Sequence, residues 1–213
     1  MKDDIGKGSW VYRGIRNLIY LMSKLVLRLE IHGAENIPSQ GSCILASNHA
    51  SFLDPPLIGC AAMHVGRAVR FMARDTLYKS IGGVILRKVH TIPLSRDKGD
   101  VGALRTALKA IKGGNLVALF PEGTRTEDGK MHDPKGGVAF LMAKSDVPVL
   151  PIYIEGTYHA FPKGAKYVHP GKVRLFVGKP IDPAKLKSEK KGSAGYREMG
   201  ARVMAEIAAL KPE

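Results

Sequence analysis

Cys43-Ile44-Leu45-Ala46-Ser47-Asn48-His49-Ala50-Ser51-Phe52-Leu53-Asp54 changes character at Asn48. The first five residues read as a strand. A strand that stops at Asn48 leaves His49 at the lip of a sheet. Asp54 precedes Pro55-Pro56, which predicts a helix with Asp54 as its N-cap and Pro55 in its first turn. A tight turn between them brings the carboxylate to one ring nitrogen of His49 and leaves the other facing outward as a base. That is two members of a nucleophile-activating triad, with the hydroxyl left for a substrate to supply. A His and an Asp five residues apart also fit a loop histidine beside a helix cap, so the pair alone does not decide the chemistry.

The same strand-then-polar pattern recurs. Val89–Leu94 reads as a strand running into Ser95-Arg96, and Leu116–Phe120 as a strand running into Pro121-Glu122-Gly123-Thr124-Arg125. Further strands are expected at Leu29–His32, Val69–Ala73, Val147–Ile154 and Lys172–Val177. Helices are expected at 56–63, from Asp75, at 100–112, at 136–145 and at 194–210. Strands alternating with helices predict one α/β domain over 33–213, with a largely parallel mixed sheet flanked by helices. In such sheets ligands bind outside the carboxyl ends of the strands. Parallel strands would therefore gather His49, Asp54, Arg96 and Arg125 at one edge. Arginine presents a planar fork of donors suited to phosphate oxygens. Gly123 lets main chain approach a ligand, and Glu122 would pin Arg125 or meet a substrate hydroxyl.

Residues 1–32 form a separate segment, built on a helix over 10–29. Tyr12, Ile15, Leu18, Ile19, Met22, Leu25, Val26 and Leu29 follow helical spacing, with Arg13, Asn17, Tyr20, Lys24 and Arg28 largely on another face. The uncharged run Asn17–Ser23 is far shorter than the roughly 20 apolar residues a membrane span needs. Trp10, Tyr12 and Tyr20 among arginines suit a helix lying in a headgroup layer, with Trp10, Arg13, Leu18 and Met22 as membrane contacts. Packing of the same stripe on the domain is the alternative.

The 213 residues carry a formal charge of +14, with 45% hydrophobic and 24% charged residues. That balance describes a folded domain with an anionic partner: an acidic membrane surface, a phosphorylated substrate, an acidic carrier protein or nucleic acid. Nucleic acid is disfavoured, because its motifs are absent and aromatics are only 7%. The two cysteines, Cys43 and Cys60, lack metal-ligand spacing and read as buried thiols in a reducing compartment. The histidines are scattered, so no metal is expected. Neither a phosphate-binding Gly-x4-Gly-Lys loop nor a Gly-x-Ser-x-Gly elbow is present. No secretory signal is expected.

Asn48-His49-x4-Asp54, followed by Phe120-Pro121-Glu122-Gly123-Thr124-Arg125, resembles the glycerolipid acyltransferase family, the 1-acylglycerol-3-phosphate acyltransferases and their relatives. Two further blocks stand in family order, Ile92-Pro93-Leu94-Ser95-Arg96 and Val147-Pro148-Val149-Leu150-Pro151, and His90 stands where a glycine is common. The resemblance implies an enzyme that moves an acyl group from an acyl thioester, acyl-CoA or acyl carrier protein, to the free hydroxyl of 1-acylglycerol-3-phosphate. The product is phosphatidic acid, made at the cytoplasmic face of a membrane by a peripheral protein. His49 and Asp54 would be catalytic, and Arg96, Glu122, Gly123, Thr124 and Arg125 would hold the acceptor. No cofactor is implied beyond the acyl donor. Another lyso-lipid acceptor, such as a lyso-ornithine lipid or a lysophospholipid, and thioester hydrolysis are the rival activities.

Overall fold

The central strand β2, Cys43–Ser47, is buried at every position. It lies between β5 (Leu116–Leu119) and β6 (Val149–Glu155) and runs parallel to both. The structure is a computed structural model and describes residues 9–74, 91–94 and 99–212. Its seven-stranded sheet has the order β1-β7-β6-β2-β5-β3-β4. Here β1 is Glu30–His32, β3 Val69–Arg74, β4 Ile92–Leu94 and β7 Arg174–Val177. Among the described strands only the β6–β7 pairing is antiparallel, so the sheet is the largely parallel, mixed one expected. The chain enters this sheet before residue 33, because β1 pairs with β7.

Strand alternation divides the core. Cys43, Leu45, Leu116, Ala118, Leu150 and Ile152 face Leu57 and Ile58 of helix α2, Asp54–Ala61. Ile44, Ala46, Val117 and Leu119 face the other way. There they meet Ile111 of α3 (Gly99–Lys112), Met142 of α4 (Gly137–Ser145) and Val203 of α5 (Gly192–Ala208). With helices on both faces, the inner strands read as unbroken apolar runs rather than alternating ones. Cys43 and Cys60 are free and buried, and burial pushes each thiol up to about 12.

Helix α1, Trp10–Leu27, starts where Ser9 accepts the N–H of Tyr12. It ends where Arg28 takes a left-handed conformation, φ 45°. It rests against α2, with Tyr12, Ser23 and Leu27 buried. The Tyr12 hydroxyl accepts the N–H of Val69 at 3.2 Å. The single apolar stripe read from the sequence is corrected here, because its members divide between two faces. Tyr12 turns inward. Trp10, Leu18, Met22 and Leu25 turn outward, and Leu18 and Leu25 are 61% and 69% exposed. None of the described helices is long and apolar enough to cross a membrane.

Candidate active site

The edge at the carboxyl ends of β2, β5 and β6 is held together through side chains that replace main chain. Asn48 follows β2 and bonds Ile154 of β6 twice: its amide nitrogen donates to the Ile154 carbonyl, and its oxygen accepts the Ile154 N–H, each at 2.8 Å. The side chain thus continues the ladder while the main chain turns away. His49 comes next and is clamped from the loop after β5. Its N–H donates to Glu122 Oε1 at 2.8 Å, and its carbonyl accepts the N–H of Thr126 at 2.9 Å.

The His49 ring is fixed from two directions. Phe120 stacks on it with centroids 3.8 Å apart and planes 14° from parallel. Asp54 Oδ2 lies 2.8 Å from Nδ1. That oxygen also accepts the N–H groups of Ala50 and Ser51, both at 2.7 Å. Asp54 is therefore not the N-cap expected from sequence. Its carboxylate turns back over the preceding turn, and the helix begins at Asp54 itself. Asp54 is fully buried, while 15% of the His49 side chain is exposed. Among the described residues no group bonds Nε2 of His49, so this nitrogen is available to a substrate hydroxyl.

Glu122 is 3% exposed, and its second oxygen accepts the N–H of His132 at 3.1 Å. Burial pushes its carboxyl up, against the two main-chain hydrogen bonds and the nearby histidines. With both oxygens engaged, Glu122 acts by holding the His49 main chain in place. Glu122→Gln turns one acceptor into a donor facing an N–H. We expect a loss of about 1–3 kcal/mol in stability, visible as a lower denaturant midpoint, together with slower turnover. A Gln variant matching the parent in both would remove this role.

The rest of the loop is self-supporting. The Thr126 hydroxyl donates to Asp128 Oδ1 at 2.7 Å, and the Lys130 N–H donates to the same oxygen. These bonds, the hydroxyl first, hold the Asp128 carboxyl well below the usual range. His132 also meets that oxygen, at 2.9 Å. Gly123 has φ +68°, and a Cβ there would stand 3.0 Å from the Lys135 stem. The glycine thus admits a lysine that the sequence reading missed. Thr124 is exposed. The Arg125 guanidinium carbon lies 3.5 Å from the Phe52 ring centroid. Because Phe52 belongs to the His49–Asp54 turn, stacking sets a cation against that turn.

The structure therefore joins His49, Asp54, Glu122, Gly123, Thr124 and Arg125. Arg96 and His90 lie outside the described residues, although β4, which leads toward Arg96, runs parallel to β3 in the same sheet. Trp10, Arg13, Leu18 and Met22 are exposed on α1, apart from the clamp. Asn48, Phe52, Phe120 and Thr126 gain roles that become visible only with neighbouring strands in place.

A family model described as Acyltransferase matches residues 28–155. A chloroplastic 1-acyl-sn-glycerol-3-phosphate acyltransferase of Brassica napus is 33% identical over 72% of this chain, which spans 45% of that protein. A Bacillus subtilis (strain 168) 1-acyl-sn-glycerol-3-phosphate acyltransferase is 25% identical over 91% of this chain and 95% of its own length. The crystal structure of the 1-acyl-sn-glycerophosphate (LPA) acyltransferase PlsC from Thermotoga maritima superposes with a TM-score of 0.75 at 31% identity. That match covers 95% of this chain and 80% of the other. With the matched model spanning the strands that build the His49–Asp54 site, the chain belongs to the acyltransferase family that includes PlsC.

Proposed function

We propose that the protein transfers an acyl group from an acyl thioester to the free hydroxyl of 1-acylglycerol-3-phosphate, giving phosphatidic acid. One observation carries this reading: among the described residues Nε2 of His49 is open while Nδ1 is held by Asp54, and Arg125 stands beside the same turn. The acceptor oxygen attacks the thioester carbonyl as His49 takes its proton at Nε2. The carbon–sulfur bond breaks, and the proton passes to the departing thiolate, leaving ester and thiol. A thiol of pKa about 8.5 leaves readily. Asp54 steadies the imidazolium between the two transfers. Arg125, Thr124 and Lys135 bracket the acceptor phosphate, with Arg96 expected to join them. Acyl-CoA and acyl carrier protein both fit as donors, the acidic carrier suiting the chain's +14 charge.

The names of the relatives support the acceptor. A panel of lysophosphatidic acid, lyso-ornithine lipid and lysophospholipid against both donors, read by product mass, tests it. Ester formed only on an acceptor lacking phosphate would overturn the phosphate assignment, and thiol release with no ester would make the protein a thioesterase. Arg125→Ala is expected to raise the acceptor KM about 10–100-fold, the loss of a charge-assisted hydrogen bond, while the donor KM stays within about twofold. Lysine should restore part of the loss, since a point charge replaces the fork incompletely. A change confined to the donor KM would place Arg125 on the other substrate.

We place the protein's work at the cytoplasmic face of a membrane, and the outward face of α1 supports the contact with lipid. Trp10, Leu18, Leu21, Met22 and Leu25 are exposed there, and Arg13, Lys24 and Arg28 are exposed on the same helix and its end. Buried in the headgroup boundary, that face would bring His49 to poorly soluble acyl chains.

A further inference from the structure

Residues 160–169 form a loop closed at its neck, where the N–H of His169 donates to the Ala160 carbonyl at 2.8 Å. A turn inside it, the Ala165 N–H to the Pro162 carbonyl at 3.1 Å, fixes the path of the tip. The tip carries Lys166-Tyr167-Val168, with Tyr167 76% and Val168 42% exposed. An ordered neck that presents an aromatic and a branched apolar residue to solvent leaves both uncovered within the chain.

The loop is also fastened at both ends to functional parts of the molecule. At its start, the Phe161 carbonyl accepts the Ser51 hydroxyl of the His49–Asp54 turn at 2.7 Å, and the Phe161 ring lies 6.5 Å from that of Phe52. Just past its end, the N–H groups of Gly171 and Val173 donate to the carbonyls of Val26 and Leu27, the last turn of α1. The tip thus lies on a continuous stretch of chain from the catalytic turn to the helix with the exposed apolar face.

We propose that the 160–169 loop is a second membrane contact, docking on an anionic lipid surface with Tyr167 and Val168 at the level of the headgroups. The inference rests on the membrane reading of α1 and extends that interface toward the active site. Tyrosine suits this depth, with an apolar ring and a polar end. The charge matches an anionic surface. Lys163 and Lys172 pair with Glu127 and Glu30, whereas Lys166 has no ionic partner among the described residues. Exposed Lys24 and Arg28 stand where the loop joins α1. Two contacts, one on each side of the joint, would fix the tilt of the site over the membrane as a single helix does not. That orientation would point the Phe52–Phe161 side of the site toward the lipid from which the acceptor comes.

Sedimentation with vesicles of phosphatidylglycerol and phosphatidylcholine tests this. Three full-length proteins are compared: the parent, Tyr167→Asp with Val168→Asp, and Leu18→Asp with Met22→Asp. The substituted side chains are exposed, and unchanged thermal midpoints check the folds. The loop variant is expected to bind about tenfold more weakly, to keep its turnover of a short-chain soluble thioester, and to lose turnover on vesicle-borne acceptor. Release by the α1 variant alone would overturn the loop contact and leave the membrane reading of α1 standing. Unchanged binding by both variants would overturn the two together. A loop variant that binds vesicles normally but no longer uses acyl carrier protein would assign the loop to an acidic protein instead and overturn the proposal.

Discussion

His49→Ala protein is expected to fold, bind its substrates and turn over about 10²–10⁴-fold more slowly than the parent, the usual contribution of a positioned general base. The neighbourhood of His49 makes the fold part of this expectation secure. Its main-chain N–H and carbonyl are held by Glu122 and Thr126, and alanine keeps both bonds. The side chain contributes the Phe120 stack, worth about 0.5–1.5 kcal/mol beyond area. For a chain of this size that is a fall of a few degrees in Tm, about 2–4 °C per kcal/mol. His49→Gln sharpens the result, since it restores polar bulk without a base and should be as slow as alanine. Turnover near the parent rate in either folded variant would exclude His49 as the proton acceptor.

The sequence made β2, β5 and β6 legible because they are buried on both faces and announce themselves as apolar runs. His49 and Arg125 each lie within a few residues of the carboxyl end of β2 or β5, where topology alone fixes the edge. Less legible were side chains whose partners are distant in sequence. Asn48 bonds a residue 106 positions away, and its role appears only once β6 is known to lie beside β2. Glu122 reaches a main-chain amide 73 positions away, so neither partner expected from sequence, Arg125 or a substrate hydroxyl, is the one its two oxygens meet: both accept main-chain N–H groups. The two faces of helix α1 were not separable in sequence for a different reason. Helical periodicity finds apolar positions but does not say which of them meet α2. Tyr12 is drawn inward by the Val69 N–H, and Leu18 and Leu25 are left outside.

Asp54→Asn is expected to lose about 10–150-fold in turnover while largely preserving the turn. Three contacts converge on Oδ2: the N–H groups of Ala50 and Ser51, and Nδ1 of His49. All three suit an acceptor, so the amide oxygen of asparagine should occupy the Oδ2 position and its nitrogen the Oδ1 position. Oδ1 is buried and meets no donor or acceptor among the described residues, so the NH₂ group gains no partner there. The stability cost of burying it is about 1–3 kcal/mol. In this orientation the Nδ1–H of His49 still donates, so the ring keeps its tautomer and Nε2 stays ready to accept a proton. What disappears is the negative charge facing the imidazolium. Opposite unit charges about 4 Å apart attract by about 4 kcal/mol at an effective dielectric of about 20, so the removed counter-charge is large enough to account for the expected loss, about 1.5–3 kcal/mol. Asp54→Ala separates charge from architecture. It removes the acceptor of two turn amides as well, and should lower Tm well below that of the asparagine variant. Equal Tm for the two substitutions would show that the carboxylate does not hold the turn. An asparagine variant as active as the parent would show that the imidazolium needs no counter-charge from Asp54.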